Sequence, residues 1–415
     1  MGNGITSPRP TRVSTAREVL AVFLKLGLTC FGGPIAHLGY FRREFVERRR
    51  WLDDETFTDL VGLCQFLPGP ASSQVGFSIG LLRAGWLGGL AAWLGFTLPS
   101  VLLLLGFAAI APSLGGAVGS GSIHGLKLVA VAVVAQAVLD MARRLCPDRR
   151  RAAIALIAIA ALSILTTVYA QLIVIALGAV LGLALCQTTV SSDTSRVPPH
   201  SQEICVSRTV GAVALTLFCV LLLGLPALVG LDAGQTVKVF EAFYRSGALG
   251  FGGGHVVLPL LQQQTVATGW ISPNDFLAGY GAAQAVPGPL FTFAAFLGWM
   301  MAEAPNHWTG AFLATAGIFL PGLLLVLAAL PYWQALRAHP SMAALLAGVN
   351  ATVVGLLATA LYSPVWTSAV LSELDFAIAA LGFFLLTRWK VPPLAVVMLC
   401  WPASPRRFCT EPMIP

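Results

Sequence analysis

Gln65-Phe66-Leu67-Pro68-Gly69-Pro70 lies inside one apolar stretch, and 219 residues later Gln284-Ala285-Val286-Pro287-Gly288-Pro289 lies inside another. Two prolines and a glycine within three residues remove backbone donors and disfavour a continuous helix, so each stretch is expected to break in its middle. The similarity extends outward on both sides. Phe31-Gly32-Gly33-Pro34 recurs as Phe251-Gly252-Gly253-Gly254 at an offset of 220. Trp51, Phe57 and Gly62 recur as Trp270, Phe276 and Gly281 at 219, and Gly95 and Pro99 recur as Gly317 and Pro321 at 222. Matches in one order with gaps this small mark a tandem duplication. Repeat 1 covers 20–186 and repeat 2 covers 209–401; the hydrophilic stretch 187–208 links them, a cytoplasmic segment 1–19 precedes them and a polar tail 402–415 follows.

Composition sets the surroundings of both repeats. The chain has 415 residues, 57% of them hydrophobic and only 10% charged, against about 25% charged in a soluble domain. Mean hydropathy is +0.80. Apolar runs of roughly 20 residues recur from end to end, where a membrane barrel would alternate in pieces of about ten. The fold class expected is therefore all-α, a polytopic integral membrane protein in a lipid bilayer. The net charge of +7 lacks the interleaved aromatics of a nucleic-acid surface and reads instead as loop arginines obeying the positive-inside rule. Eight cysteines without a CxxC or CxxCH spacing, and no Rossmann glycine fingerprint, indicate no cofactor, no metal and no redox enzyme.

Those arginines give a topology. Arg42, Arg43, Arg48, Arg49 and Arg50 form one block and Arg143, Arg144, Arg149, Arg150 and Arg151 another, both expected on the cytoplasmic side. Three full crossings by 57–82, 86–110 and 123–142 would separate the blocks. The segment broken at Pro68-Gly69-Pro70 is therefore read as a re-entrant hairpin, which also returns Arg83 inside. The same reading of 20–40, broken at Gly32-Gly33-Pro34, keeps Arg12 and Arg17 beside Arg42. Then 152–168 and 171–187 cross out and back and 209–231 crosses outward, an odd number of crossings, so repeat 2 enters inverted. Its charges agree: no Lys or Arg occurs in the 91 residues from Ser246 to Leu336, where the matching span of repeat 1 holds six.

Inverted repeats with Gly/Pro-interrupted apolar segments in corresponding positions point to a secondary transporter whose substrate sits near the midplane. Irregular backbone at lipid depth is tolerated only against protein or a water-filled cavity. The expected substrate-binding positions are thus the breaks: Gly32, Gly33, Pro68, Gly69 and Pro70 in repeat 1, and Gly252, Gly253, Pro287, Gly288 and Pro289 in repeat 2. Pro70 and Pro289 suit the first position of a new helix. The amides behind them, of Ser72, Ser73 and Gln74 in one copy and of Leu290, Phe291 and Thr292 in the other, would face the break and favour a multiply charged oxyanion over a cation. The matched Gln65 and Gln284 add polar side chains, and Lys25, Arg83 and Lys127 are cations within or at the ends of apolar runs. His37 and His255 follow the glycine breaks at different offsets and read as satisfied polar residues rather than a proton relay. Glu241 and Arg245 read as a structural i,i+4 pair.

The run Phe31-Gly32-Gly33-Pro34 with Ala36-His37 and Gly39-Tyr40, then CQFLPGPASSQVG (Cys64 to Gly76) and GFTLP (Gly95 to Pro99), together with FGGGHVVLPLL (Phe251 to Leu261) and GYGAAQAVPGPLFTFAA (Gly279 to Ala295), resembles the chromate ion transporter family in its long two-domain form. The resemblance covers roughly residues 20 to 400. It implies chromate efflux across a bacterial inner membrane and resistance to chromate, with sulfate as a competing oxyanion or the cargo of an importer. A homodimer is left open. The ending departs from the pattern, because Val391 to Trp401 is too short to span and the residues after it read as a non-membrane tail.

Overall fold

The computed structural model describes residues 12–31, 33–111, 116–165, 170–186, 206–251, 256–333, 340–389, 391 and 395–396. Most of the linker, the last apolar run after Val391 and the tail lie outside them. Among the described residues every regular element is a helix. Repeat 1 comprises α1 (Arg12–Thr29), α2 (Gly33–Phe41, running on as a π-helix over Arg42–Arg48), α3 (Asp54–Phe66), α4 (Ala71–Ile110), α5 (Gly116–Leu145), α6 (Arg149–Ile164) and α7 (Ala170–Leu185). One helix, α8 (Arg208–Gly230), which the bounds read from the sequence place in repeat 2, precedes the elements that match repeat 1. Repeat 2 comprises α9 (Gln235–Ala248), α10 (Val257–Thr265), α11 (Pro273–Ala285), α12 (Phe293–Met300, entered through the turn Leu290–Thr292), α13 (His307–Ala329), α14 (Pro340–Ala360) and α15 (Glu373–Thr387). The duplication is visible in the elements, since α3 and α11 match end for end at the offset of 219 read from the motifs.

Among the described residues, five stretches are long and apolar enough to cross a membrane: Ala71–Ile110, His124–Leu145, Arg208–Gly230, His307–Tyr332 and Ser341–Ser363. Of these, α8 is the least enclosed by protein, and Val213, Leu215, Leu217, Val220, Leu223 and Leu228 on it are exposed. The first stretch is two limbs rather than one helix. Ala84 (φ −140°, ψ 20°) and Gly85 (φ 65°, ψ −151°) leave the helical region, and the limbs 71–83 and 86–110 fold back so that Gly80 meets the carbonyl of Gly88. Only glycines permit helices that close, as is usual where packing rather than water drives association. The same device seats α1 on α4: a Cβ on Gly27 would lie 2.8 Å from the carbonyl oxygen of Gly95.

The 13-residue α3 and the limb 71–83 are each about 20 Å long, short of the roughly 30 Å hydrocarbon core. Their outer ends meet. Trp51, just before α3, carries the Arg83 guanidinium over its ring at 5.1 Å and that of Arg49 at 5.4 Å. Glu18 of α1 pairs with Arg49 at 3.1 Å and with Arg83 at 3.6 Å. The ends of the α1–α2 hairpin and of the α3–limb hairpin therefore gather in one place. In repeat 2 the α11–α12 hairpin is closed without charge, by the Ala302 N–H donating to the Trp270 carbonyl at 3.1 Å.

From this second closure α13 runs past the first hairpin. Gly322 packs against Gly69, and beyond the end of α13 the Trp333 ring reaches Gly62 and, at 5.8 Å between ring centres, Phe66.

Candidate functional site

The two Pro-Gly-Pro motifs adopt one conformation. Leu67 and Val286 are extended, Gly69 and Gly288 have φ of 114° and 106°, and Pro70 and Pro289 are extended residues preceding a helix. This corrects the expected first helical position of the prolines: each stands one residue earlier, as the cap. The consequence reaches the amides. The first helical bond closes from the Gln74 N–H to the Pro70 carbonyl at 2.9 Å, and in repeat 2 the Thr292 N–H donates to the Pro289 carbonyl at 3.0 Å. Gln74 and Thr292 thus spend the N–H groups expected to face the break, and the first turn of limb 71–83, including Ser72 and Ser73, keeps N–H groups without an intrahelical acceptor.

Each break is bound to the opposite repeat. The Gly69 N–H donates to the carbonyl of Gly250, just before the second glycine motif, at 2.9 Å; the Gly288 N–H donates to the carbonyl of Cys30, just before the first, at 2.9 Å. The positions behind the helix prolines complete the exchange. Gly69 abuts Gly322, which follows Pro321, and Gly288 abuts Ser100, which follows Pro99. Ser100 and Thr292 join hydroxyls across the repeats at 2.5 Å, and Thr292 Oγ1 also donates to the Pro289 carbonyl at 2.7 Å. Gln74 Nε2 donates to the carbonyls of Pro68, at 2.9 Å, and Gly322, at 3.0 Å. All of these side chains are buried: Gln74 0%, Thr292 1% and Ser100 2% exposed.

The other expected site residues are dispersed. Gly33 lies at the start of α2 with φ 80°, whereas Gly32, Gly252 and Gly253 lie outside the described residues. The matched glutamines part company: Gln65 is exposed on α3, and Gln284 is half-buried with Nε2 unpartnered. None of the three cations is seen at the crossing. Lys25 is exposed on α1, and Arg83 closes the hairpin at the Trp51 end. Lys127 is buried but donates to Asn274 Oδ1 at 2.6 Å, in the first turn of α11, a helix length from Pro287. Glu241 and Arg245 pair as expected, at 3.1 Å, and Arg245 also donates to Gln264 at 2.7 Å. His37 meets polar partners, as its reading as a satisfied residue expects: it is 1% exposed, with Nδ1 3.3 Å from Ser72 Oγ and its ring against the Cys30 carbonyl, and Nε2 alone is left without a well-aligned bond.

Sequence reasoning missed the side chains of Gln74, Thr97, Ser100 and Thr292. The signal was present, since Gln74 follows Pro70 by four residues and Ser100 follows Pro99 directly.

A helical chain with several apolar helices of membrane-crossing length and paired broken hairpins is a multi-pass membrane protein of the transporter kind. It belongs to the chromate transporter family, whose description is "Chromate transporter" and whose model matches residues 17–183 and again 237–404. The chain is 29% identical over 379 residues to the chromate transport protein of Pseudomonas aeruginosa, covering 90% of this chain and 87% of that one. It is 26% identical over 348 residues to a probable chromate transport protein of Synechococcus elongatus, covering 83% of each. A chromate transport protein of Cupriavidus metallidurans is 25% identical over 347 residues, covering 82% of this chain and 80% of that one. No solved structure matches.

Proposed function

We propose that this protein exports chromate from the cytoplasm across a bacterial inner membrane and so confers resistance, with the crossing of the four breaks as the substrate path. The observation that carries this reading is the reciprocal tie of Gly69 to Gly250 and of Gly288 to Cys30. It gathers broken helices from both repeats around buried hydroxyl and amide groups at the tips of the hairpins. An anion is favoured there by helix starts and neutral donors rather than by a buried lysine.

The course of α13 supports the inverted arrangement. It leaves the closing end of its own hairpin, passes the tip of the first at Gly69 and continues toward the Trp51 end, as it does if the hairpins enter from opposite faces. Rocking of one repeat against the other around the crossing then gives alternating access. A dianion leaving a negative interior is driven outward by about 2 × 2.3 kcal/mol per 100 mV, so the membrane potential suffices as a driving force.

Labelled chromate accumulation in cells with and without the gene tests the direction, lower accumulation being expected with it. In inverted vesicles, uptake of chromate should rise with an imposed inside-positive potential and be reduced by excess sulfate. Higher accumulation in cells expressing the gene would make the chain an importer, the competing reading, with sulfate as its next substrate to assay.

A further inference from the structure

The duplicated scaffold is chemically lopsided at the crossing. In repeat 1, His37, Ser72, Ser73, Gln74 and Thr97 are each at most 3% exposed; Ser73 Oγ, Thr97 Oγ1 and the acceptor Gln74 Oε1 have no hydrogen-bond partner, and neither has His37 Nε2, although the His37 ring also meets the Cys30 carbonyl. His37 touches both segments that carry the hydroxyls. His37 Nδ1 lies 3.3 Å from Ser72 Oγ, and its ring stands edge-on to Phe96, the residue before Thr97, at 5.4 Å. Ser72 and Ser73 occupy the first turn after the Pro68-Gly69-Pro70 break.

At the repeat offsets, the positions matching His37, Ser72 and Thr97 are Val257, Phe291 and Phe319. All three are buried in one apolar cluster, with the Phe291 and Phe319 rings 6.0 Å apart. Thr292, which matches Ser73, is spent on Pro289 and Ser100. Buried polar atoms are nearly always partnered, because leaving one unmet is costly. Unmet hydroxyls on Ser73 and Thr97 and an unmet ring nitrogen on His37, against a counterpart filled by Phe291 and Phe319 in which Gln284 Nε2 is the unmet donor, are what a ligand-binding half and a largely filled half would leave.

We propose that the chain binds a single tetrahedral oxyanion, on the repeat 1 side of the crossing, with His37 Nε2 and the hydroxyls of Ser73 and Thr97 as its side-chain donors. This inference rests on the reading of the crossing as the oxyanion path. Nε2 carries a hydrogen both in the neutral ring whose Nδ1 accepts from Ser72 and in the imidazolium. Together with the first-turn N–H groups of limb 71–83, these donors satisfy oxyanion oxygens without a buried lysine or arginine. In repeat 2 the matching positions hold Phe291 and Phe319, whose side chains offer no donor, and the unmet Gln284 Nε2 lies before the break rather than behind it.

The test uses the full chain in proteoliposomes, with initial rates of labelled chromate uptake measured against concentration, and equilibrium dialysis of the purified protein with labelled chromate. One site per chain is expected. His37→Ala and Ser73→Ala should each raise KM about tenfold or more, the worth of one hydrogen bond to a charged group. His37→Gln, which restores an N–H donor, should recover part of that loss, and His255→Gln should leave KM unchanged. If His37→Ala does not fold, Ser73→Ala and His37→Gln decide between the same outcomes. A wild-type chain that moves no chromate overturns the reading of the crossing. A wild-type chain that transports, but binds two chromates or shows unchanged KM on loss of the His37 or Ser73 donor, overturns the single-site inference alone.

Discussion

Gly288 donates its backbone N–H to the Cys30 carbonyl at 2.9 Å, across a duplication that separates the two residues by more than half the chain. Gly69 and Gly250 make the mirror bond. Each break would otherwise expose unmet backbone groups at lipid depth, so the irregularity of one repeat is satisfied by the irregularity of the other.

The glycine positions predict a graded series. A Cβ on Gly288 would lie 2.9 Å from Ser100 Cβ, one on Gly69 would lie 3.1 Å from Gly322 Cα, and one on Gly33 would meet nothing within 4 Å. All three have positive φ, which costs about 1–3 kcal/mol for a side chain that resists it. Chromate uptake should fall most for Gly288→Ala, nearly as far for Gly69→Ala and least for Gly33→Ala, with melting temperatures in detergent in the same order. Full transport by Gly288→Ala would dismiss the crossing as the site.

Gln74 is the side chain that holds the first break to the second repeat. Gln74→Leu keeps the volume but strands the Pro68 and Gly322 carbonyls, a penalty of about 1–3 kcal/mol for each buried acceptor left unmet. The variant should melt lower than wild type, whereas Gln65→Leu, on an exposed surface of α3, should not. Equal melting temperatures for the two would remove Gln74 from this role.

Orientation can be read from labelling. Glu47 and Glu303 are both exposed, one beside the charged closure of repeat 1 and the other beside the uncharged closure of repeat 2. In a cysteine-free background, Glu47→Cys should react with an impermeant thiol reagent only from the cytoplasmic side and Glu303→Cys only from the opposite side. Reaction of both from the same side would refute the inversion.

The charged closure also sets a pH response. Burial pushes the Glu44 carboxyl up, but hydrogen bonds and charge from Arg49 and Arg48, at 2.6 and 3.0 Å, outweigh it and hold the group below the usual carboxylate range. A depressed carboxyl stabilises the fold fully above its unfolded value, about 4.3, and that contribution fades as pH falls through the folded value. Glu44→Gln should therefore melt below wild type at neutral pH by an amount worth about 1 kcal/mol or less. The difference should close on acidification below about pH 4; a gap that persists there would assign the effect to packing.

The breaks were legible because proline and glycine act locally, through missing donors and permitted φ, whatever surrounds them. Arginine placement gave an expectation of hairpins, and the contact of Trp51 with Arg83 brings the two ends of the first one together. The partners of the breaks were not legible, since the bond from Gly69 to Gly250 depends on how distant segments pack. Lys25 and Lys127 misled for a related reason. A helix that is apolar all round gives no periodic contrast, so a cation within it can face outward, as Lys25 does, or lie against another helix, as Lys127 lies against Asn274. His37 meets the polar partners its reading expected, but nothing in its neighbours along the chain reveals which of its two ring nitrogens tertiary contacts will reach.

The exchange of acceptors between Cys30 and Gly250 has a consequence for the gene as well as for the protein. A half-chain synthesised alone carries a donor whose acceptor is encoded in the other half, and only a second half-chain packed against it supplies one. Holding both halves in one chain removes the need for that meeting.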